Sequence, residues 1–208
     1  MGVAVAAIFS AFARPASAQG RDIGFRGFAD VGSTTFAATQ SFEAILGSAT
    51  GVVFGGGGEV VLPKNIFVNV RASRFRKSGE RVFVSGGERF GLGIPTTVTV
   101  TPLELTGGYR LERGWPVVPY GGGGIGRHQY EEVSDFAETS ENVDVSFTGY
   151  HVLGGAEFRV SRWLAAAGEV QWATVPDALG DDENGVSQMF NESDLGGLTF
   201  RVKVVIGR

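Results

Sequence analysis

The two histidines, His128 and His151, are the side chains best suited to acid–base chemistry near neutral pH. An ester hydrolase needs a histidine beside a serine or an activated water, with a carboxylate that orients the imidazole. On an extended strand His151 shares a face with Glu157, and Ser146 and Ser161 lie on the same strand or just beyond it. Neither serine occupies a recognisable nucleophile motif. We therefore favour a paired polar histidine in the interior, and a hydrolytic role for His151 stays as an alternative.

A glycine run at residues 121–126 matches the pattern G-x-G-x-x-G. A dinucleotide site needs this turn to open a helix, whereas Arg127 to Tyr130 continue the pattern of a strand. We interpret the run, together with Gly55 to Gly58, as room for bulky neighbours and for the coiling of strands. The sequence therefore predicts no nucleotide cofactor.

An acidic stretch, Asp181 to Gly185, is similar to a calcium-binding loop. However, Gly180 stands where the first ligand belongs, and Asn191 stands where the bidentate glutamate belongs. The stretch is better interpreted as a solvated loop that holds cations loosely, so the sequence predicts no dedicated metal site.

Composition sets broad limits on the fold and the partners. The 208 residues suit one domain, and the 33 glycines are more than twice the usual share of ~7%. The absence of cysteine excludes disulfides and thiolate metal sites. A net charge of −4 argues against a nucleic-acid partner. Since no apolar run approaches the ~18 residues of a membrane helix, a membrane protein of this composition would have to be a β-barrel.

The first residues predict export. An uncharged, mostly apolar stretch, Gly2 to Ala13, precedes an Ala-x-Ala cleavage site at Ala16 to Ala18. This pattern is typical of a secretory signal peptide. We expect residues 1–18 to be removed and residues 19–208 to form the mature domain.

Alternating apolar and polar residues predict eight strands. The last one is the clearest, since Leu198, Phe200, Val202, Val204 and Ile206 occupy one face while Thr199, Arg201 and Lys203 occupy the other. The predicted strands are Gly24–Thr35, Val52–Leu62, Ile66–Arg74, Thr97–Leu111, Val117–Glu131, Val145–Val160, Trp163–Val175 and Leu198–Ile206. Pro102 inside the fourth strand suggests a bulge or a change of phase, and a further strand pair is possible around Arg81 to Val84.

The connections alternate between three tight turns and four long loops. Eight long strands with this asymmetry predict an all-β fold, an eight-stranded antiparallel up-and-down transmembrane β-barrel with short periplasmic turns and long extracellular loops. The whole mature chain resembles the small outer-membrane barrels of the OmpA-, OmpX- and OmpW-like kind. The resemblance implies a location in the bacterial outer membrane, and it rests on the signal peptide, the eight alternating strands and the loop asymmetry.

The polar faces of the strands carry charges of both signs in nearly equal number. In a membrane barrel the apolar faces meet lipid, so these charges must point into the lumen and pair with one another. The predicted lumen network consists of Arg26, Asp30, Glu59, Arg71, Glu104, Arg110, Glu157, Arg159, Glu169, Arg201 and Lys203.

Aromatic residues near the strand ends predict two girdles at the membrane interfaces. The girdle on the short-turn side would contain Tyr109, Trp115, Tyr120, Phe158 and Trp163, and the one towards the loops Tyr130, Phe147, Trp172 and Phe190.

The predicted loops differ in charge. Glu131 to Asp144 and Asp177 to Asp194 each carry six acidic residues and no lysine or arginine. The connection after the third strand is basic, with Arg74, Arg76, Lys77, Arg81 and Arg89 against Glu80 and Glu88. We expect it to lean towards the acidic loops, and we expect divalent cations to bridge the surplus carboxylates to lipopolysaccharide phosphates. The expected partners are thus outer-membrane lipids and lipopolysaccharide, with the protein a monomer.

The favoured function is a non-enzymatic outer-membrane protein with a side-chain-plugged lumen and surface-exposed loops, in a structural or interaction role. Three alternatives stay open: a minor channel for small or apolar solutes, a lipid A-modifying barrel enzyme that uses His151, and a secreted lipocalin-like barrel that binds a ligand.

Overall fold

The computed structural model describes residues 23–85, 88–111, 116–134, 142–179 and 186–207. The predicted signal peptide and the calcium-like stretch 181–185 lie outside these residues. So do Trp115, residues 135–141 of the first acidic loop, and the side chains of Arg81, Glu88 and Arg89.

Eight antiparallel strands form a closed barrel in which each strand pairs with its sequence neighbour and β1 pairs with β8. This confirms the predicted fold class. The elements are β1 Gly24–Phe36, α1 Thr39–Leu46, β2 Thr50–Val61, β3 Ile66–Ser85, β4 Glu88–Arg110, β5 Val117–Ser134, β6 Val143–Arg159, β7 Leu164–Thr174, α2 Val186–Met189 and β8 Gly197–Gly207. No helix within the described ranges is long and apolar enough to cross a membrane.

At mid-barrel the charged side chains point inside, beside a few apolar ones such as Phe28 and Phe67, and the outer wall is apolar. Along β8, Phe200, Val202 and Val204 are exposed, whereas Arg201 and Lys203 are buried. A soluble barrel buries its apolar face, because that face has the most to gain from leaving water. The inverted arrangement of this barrel suits a lipid surround. It excludes the lipocalin-like alternative, because such a barrel has an apolar interior.

The strands β3 and β4 extend well beyond their predicted ends. Their pairing continues to Ser85 and Glu88, so the strand pair expected around Arg81 to Val84 is the far part of the same hairpin. Only residues up to Phe75 of β3 pair with β2. The outer half of the hairpin therefore rises above the neighbouring strand.

The prediction of a bulge or a change of phase at Pro102 is wrong. The β3–β4 ladder is interrupted opposite Pro102, as expected for a residue without an N–H, and then resumes in the same register. The register shifts instead between Glu80 and Val82. There Gly93 adopts a positive φ of 68° and its N–H donates to Glu80 Oε1 at 2.6 Å.

The many glycines serve different purposes on the two faces of the wall. A methyl carbon built on Gly155 would lie 2.6 Å from the Tyr120 ring, and one on Gly108 would collide with Phe67. These inward glycines make room for interior aromatic rings, as the sequence predicted. A methyl carbon on the outward-facing Gly107 or Gly168 would meet only open space. The run at residues 121–126 lies within β5, so the match to a nucleotide motif is fortuitous.

Candidate functional site

The lumen holds ten of the eleven charged residues predicted for it. Asp30, Glu59, Arg71, Glu104, Arg110, Glu157, Glu169, Arg201 and Lys203 are buried, and the Arg26 side chain is 11% exposed. The exception is Arg159, whose side chain is 42% exposed at the end of β6 and reaches Glu157 at 4.0 Å. The interior set thus contains five basic and five acidic groups.

The ion pairs of arginine and lysine among the described residues form two clusters. The lower cluster lies near the short turns and consists of Arg26, Glu59, Arg110 and Glu157. Arg26 binds Glu157 through both terminal nitrogens and lies 3.0 Å from Glu59 Oε1. Arg110 joins the same two carboxylates, at 2.9 Å from Glu157 Oε1 and 3.3 Å from Glu59 Oε1. Strands β1, β2, β4 and β6 are thereby linked across the lumen.

The central cluster consists of Asp30, Arg71, Glu169, Arg201 and Lys203. Arg71 Nη2 lies 2.7 Å from Glu169 Oε1, and its Nε lies 3.3 Å from Asp30 Oδ2. Lys203 Nζ lies 2.9 Å from Glu169 Oε2. Arg201 completes the cluster at 3.5 Å from Glu169 and 3.8 Å from Asp30. These contacts join β1, β3, β7 and β8.

Tyr120 lies between the two clusters. Its hydroxyl donates to Glu169 Oε2 at 3.0 Å, while Arg110 lies 5.8 Å and Lys203 lies 5.4 Å from the centre of its ring. The prediction that Tyr120 belongs to a membrane girdle is wrong. The four residues that follow it on β5 are glycines, and their missing side chains conceal which face the ring occupies. Tyr130 is also buried inside, whereas Tyr109, Phe158, Trp163 and Trp172 are exposed on the outer wall.

Gln171 connects the central cluster to Glu104. Its Oε1 accepts hydrogen bonds from Arg201 Nη1 at 2.6 Å and Arg71 Nη1 at 3.2 Å, and its Nε2 donates to Glu104 Oε1. The alternation along β7 predicts that Gln171 points into the lumen with Glu169, but it does not predict these contacts. An amide here can contact two cations and one carboxylate at once, because it carries an acceptor and a donor.

His151 lies beside Thr106 and Glu104 rather than beside a serine. Its Nε2 is 2.8 Å from Thr106 Oγ1 and its Nδ1 is 3.8 Å from Glu104 Oε1. Ser146 is exposed, and Ser161 Oγ accepts from the N–H of Leu164 in the β6–β7 turn. The arrangement hypothesised for a hydrolase is therefore not assembled from these serines.

Above the polar network lies a small cavity of about 50 Å³, which is room for a few water molecules. Ser73, Glu104 and His128 contribute to its lower lining, and each has a buried polar atom without a hydrogen-bond partner among the described residues. Phe36, Val100 and Leu195 contribute to its upper lining. The cavity therefore separates the charged lumen from an apolar layer. Within the described ranges, no group of three or more histidine and carboxylate side chains is placed to hold a metal ion.

We call this layer the apolar cover; it closes the loop end of the barrel. It consists of Phe36, Ala38, Phe42, Leu46, Ala49, Phe75, Val98, Val100, Tyr130, Val175, Ala178 and Leu195. The Phe42 ring from α1 stacks on Phe36 at 4.1 Å, and Phe75 meets Phe36 edge-on at 4.9 Å. The part of the cover that contains α1 lies in Phe36 to Ser48, which the strand pattern alone predicts to be a connection without a helix. The helical spacing of Phe42, Ile45 and Leu46, followed by Gly47, is the signal that could have revealed α1.

A carboxylate from the connection between β7 and β8 binds the first turn of α1. Glu192 accepts hydrogen bonds from the N–H groups of Gln40 and Ser41 at 3.0 and 2.8 Å, and from Ser41 Oγ at 2.7 Å. It supplies the cap that the helix lacks, since Ala38 at the N-cap has no side-chain acceptor. Asp194 likewise accepts from the N–H groups of Val175 and Gly196. Two of the six acidic residues in this loop are therefore structural.

The β3–β4 hairpin, which carries the basic residues, contacts the connection between β1 and β2. Lys77 Nζ donates to the carbonyl groups of Ser48 and Thr50 at 3.1 and 3.2 Å. The described contacts thus link the β3–β4 hairpin, the β1–β2 connection and the β7–β8 connection to one another at the loop end of the barrel.

We expect Glu192→Ala to release α1 while leaving the barrel closed. Losing the cap should cost about 1–2 kcal/mol locally, so amide hydrogen exchange over residues 39–46 should become about tenfold faster. Asp177→Asn is the matched control, because it removes a charge from the same loop without touching α1. Equal exchange in the two variants would contradict the capping role.

Sequence comparison decides the family. Residues 3–204 match the model of the outer membrane protein beta-barrel domain. The chain belongs to this family. As an outer-membrane barrel, it is a protein of the bacterial outer membrane whose apolar wall faces lipid.

Solved structures similar to this outer-membrane barrel share its fold. One is Neisserial surface protein A, at 13% identity and a TM-score of 0.56, with 88% of this chain and 96% of that chain covered. Another is a major outer membrane protein from Thermus thermophilus, at 9% identity and a TM-score of 0.59, with 89% and 99% covered. At these identities the likeness concerns the fold alone. Among curated proteins, none matches the sequence.

Proposed function

We propose that this outer-membrane barrel is a non-enzymatic, monomeric protein of the cell envelope that keeps its lumen closed and acts through its outer loops. The observation that carries the proposal is the interior network. Every strand contributes to it: β5 through Tyr120 and the other seven through a charged side chain. Eight strands leave an interior that side chains can just fill, whereas water-filled porins need ~16–18 strands.

A role in interactions is supported by the parts that stand above the membrane. The outer half of the β3–β4 hairpin rises beyond β2 and exposes Phe90 and Leu92. Carboxylates at the outer ends of β5 and β6 remain near the surface, where Gln129 Nε2 donates to Glu131 at 3.1 Å and to Asp144 at 3.0 Å. In our proposal such carboxylates hold divalent cations loosely beside lipopolysaccharide, because exposed charges are well screened.

A hydrolytic role is disfavoured by access. Thr106, the hydroxyl nearest to His151, is 1% exposed, and neither residue lines the cavity. A substrate would have to displace the apolar cover and part of the ion-pair network before it reached this pair.

Conductance across a planar bilayer tests the closed lumen. The unmodified protein should show little or no steady current, since a continuous channel would require several buried ion pairs to break together. Glu104→Ala and Arg201→Ala should make brief openings more frequent. Arg162→Ala, in the exposed β6–β7 turn, should behave like the parent. A stable, large conductance from the parent would overturn the proposal and make the channel the better function.

A further inference from the structure

Three exposed arginines lie on the outer wall where the lipid-facing band ends. On β3 the outward side chains run Ile66, Val68, Val70 and Ala72 and then change to Arg74 and Arg76. On β5, Ile125 is 51% exposed, and the next outward residue is the exposed Arg127. We call Arg74, Arg76 and Arg127 the basic sector.

The register brings the basic sector together around β4. Leu103 of β4 pairs with Ala72 on one side and with Arg127 on the other. Arg74 follows two residues after Ala72, and Arg76 pairs with Thr99. Because neighbouring strands lie ~4.8 Å apart, the side chains from β3 and β5 can converge on one group about 10 Å wide. The nearest described carboxylate along β5 is Glu131, which already accepts from Gln129.

The sector is confined to one side of the barrel. At the same step above the apolar band, β1 presents Ser33 and Thr35, β2 presents Thr50, and β7 presents Thr174. Within the described part of the chain, the side chains of Arg74, Arg76 and Arg127 form no hydrogen bond or ion pair with another residue. They are therefore available to a ligand from outside the chain.

The position of the sector defines that ligand. Exposed Val70 and Ile125 lie below the sector, and exposed Leu103 lies at its lower edge. These side chains suit hydrocarbon, and the guanidinium groups above them suit the height of the headgroups. A guanidinium fork matches the geometry of phosphate oxygens. An occupant that satisfies both parts has acyl chains and a phosphorylated headgroup.

We propose that Arg74, Arg76 and Arg127 form a binding site for the phosphate of an outer-leaflet lipid. The site rests on the outer-membrane location and on the proposed role in the envelope. It differs from cation bridging at the acidic loops, because the arginines contact the phosphate directly and need no divalent ion.

Lipid adducts of the full-length barrel in detergent, counted by native mass spectrometry, test the site. The probes are dioleoyl phosphatidic acid, which carries a phosphate monoester, and dioleoyl phosphatidylcholine, with a chelator present throughout. The parent should retain phosphatidic acid at least tenfold more strongly than phosphatidylcholine. Arg74→Gln/Arg127→Gln should lose about tenfold of this affinity. Lys64→Gln/Arg162→Gln removes the same charge at the short-turn end and should keep it.

Each other outcome overturns the proposal. Equal losses in the two double variants would mean that net charge alone attracts the lipid, and an unchanged preference in Arg74→Gln/Arg127→Gln would place the site elsewhere. Displacement by millimolar inorganic phosphate as readily as by phosphatidic acid would define a site for soluble anions. Conductance is independent of these adducts, so failure of the closed-lumen proposal and failure of this site are distinguishable.

Discussion

Arg71→Met should lower the free energy of unfolding by about 3–5 kcal/mol, because it removes one partner of a buried ionic cluster. Arg71 is 1% exposed, bridges Asp30 and Glu169, and lies 5.3 Å from the centre of the Phe28 ring. Methionine keeps much of the volume but none of the charge. Among the described residues, Asp30 would then keep a single ion-pair partner, Arg201, whose Nε is 3.8 Å away.

Urea unfolding in lipid vesicles, followed by tryptophan fluorescence, measures the effect. Arg159→Met is the control, because this exposed arginine should contribute only ~0–1 kcal/mol. Adding Asp30→Asn to Arg71→Met should restore part of the loss, since it removes one of the stranded carboxylates. An unfolding midpoint unchanged by Arg71→Met would mean that the lumen is wet and its charges are solvated independently.

Gly108→Ala should destabilise the barrel by about 1–3 kcal/mol through overpacking, while Gly107→Ala should be nearly neutral. The two residues are adjacent on β4 but point to opposite faces. An added methyl group at Gly108 collides with the Phe67 ring and with the backbone oxygen of Gly121, and the ring is fully buried. At Gly107 the same group enters open space among the lipid chains.

This adjacent pair controls for strand propensity, because both changes replace glycine by alanine in the same strand. The same unfolding assay measures both variants. If Gly107→Ala cost as much as Gly108→Ala, the glycines would matter through backbone conformation rather than through space for interior rings.

The wall of the barrel could be predicted because each strand separates two different solvents. Along β8 the apolar residues face lipid and the charged residues face the lumen, so apolar and polar residues alternate along the sequence. The same alternation located the ten interior charges. Arg159 breaks the rule because the strand ends there, where the inward face already opens to water.

The outer parts could not be predicted in the same way. Above the membrane both faces of the β3–β4 hairpin meet water or other loops, so the two-faced pattern disappears and the strand ends are lost. The cap of α1 comes from Glu192, about 150 residues later in the chain, and a local pattern carries no information on so distant a partner. Tyr120 was misplaced because the glycines beside it have no side chains to alternate.

The pairing of β1 with β8 has a consequence for biogenesis. Three cations among the described residues contact Asp30 or Glu169, and two of them, Arg201 and Lys203, come from β8, the last strand of the barrel. A chain that lacked β8 would therefore carry undercompensated carboxylates, and bringing them to the hydrocarbon depth is very costly. The positive and negative charges of the lumen therefore balance only when β8 pairs with β1. Pairing of β8 with β1 thus lowers the cost of placing these carboxylates at the depth of the hydrocarbon.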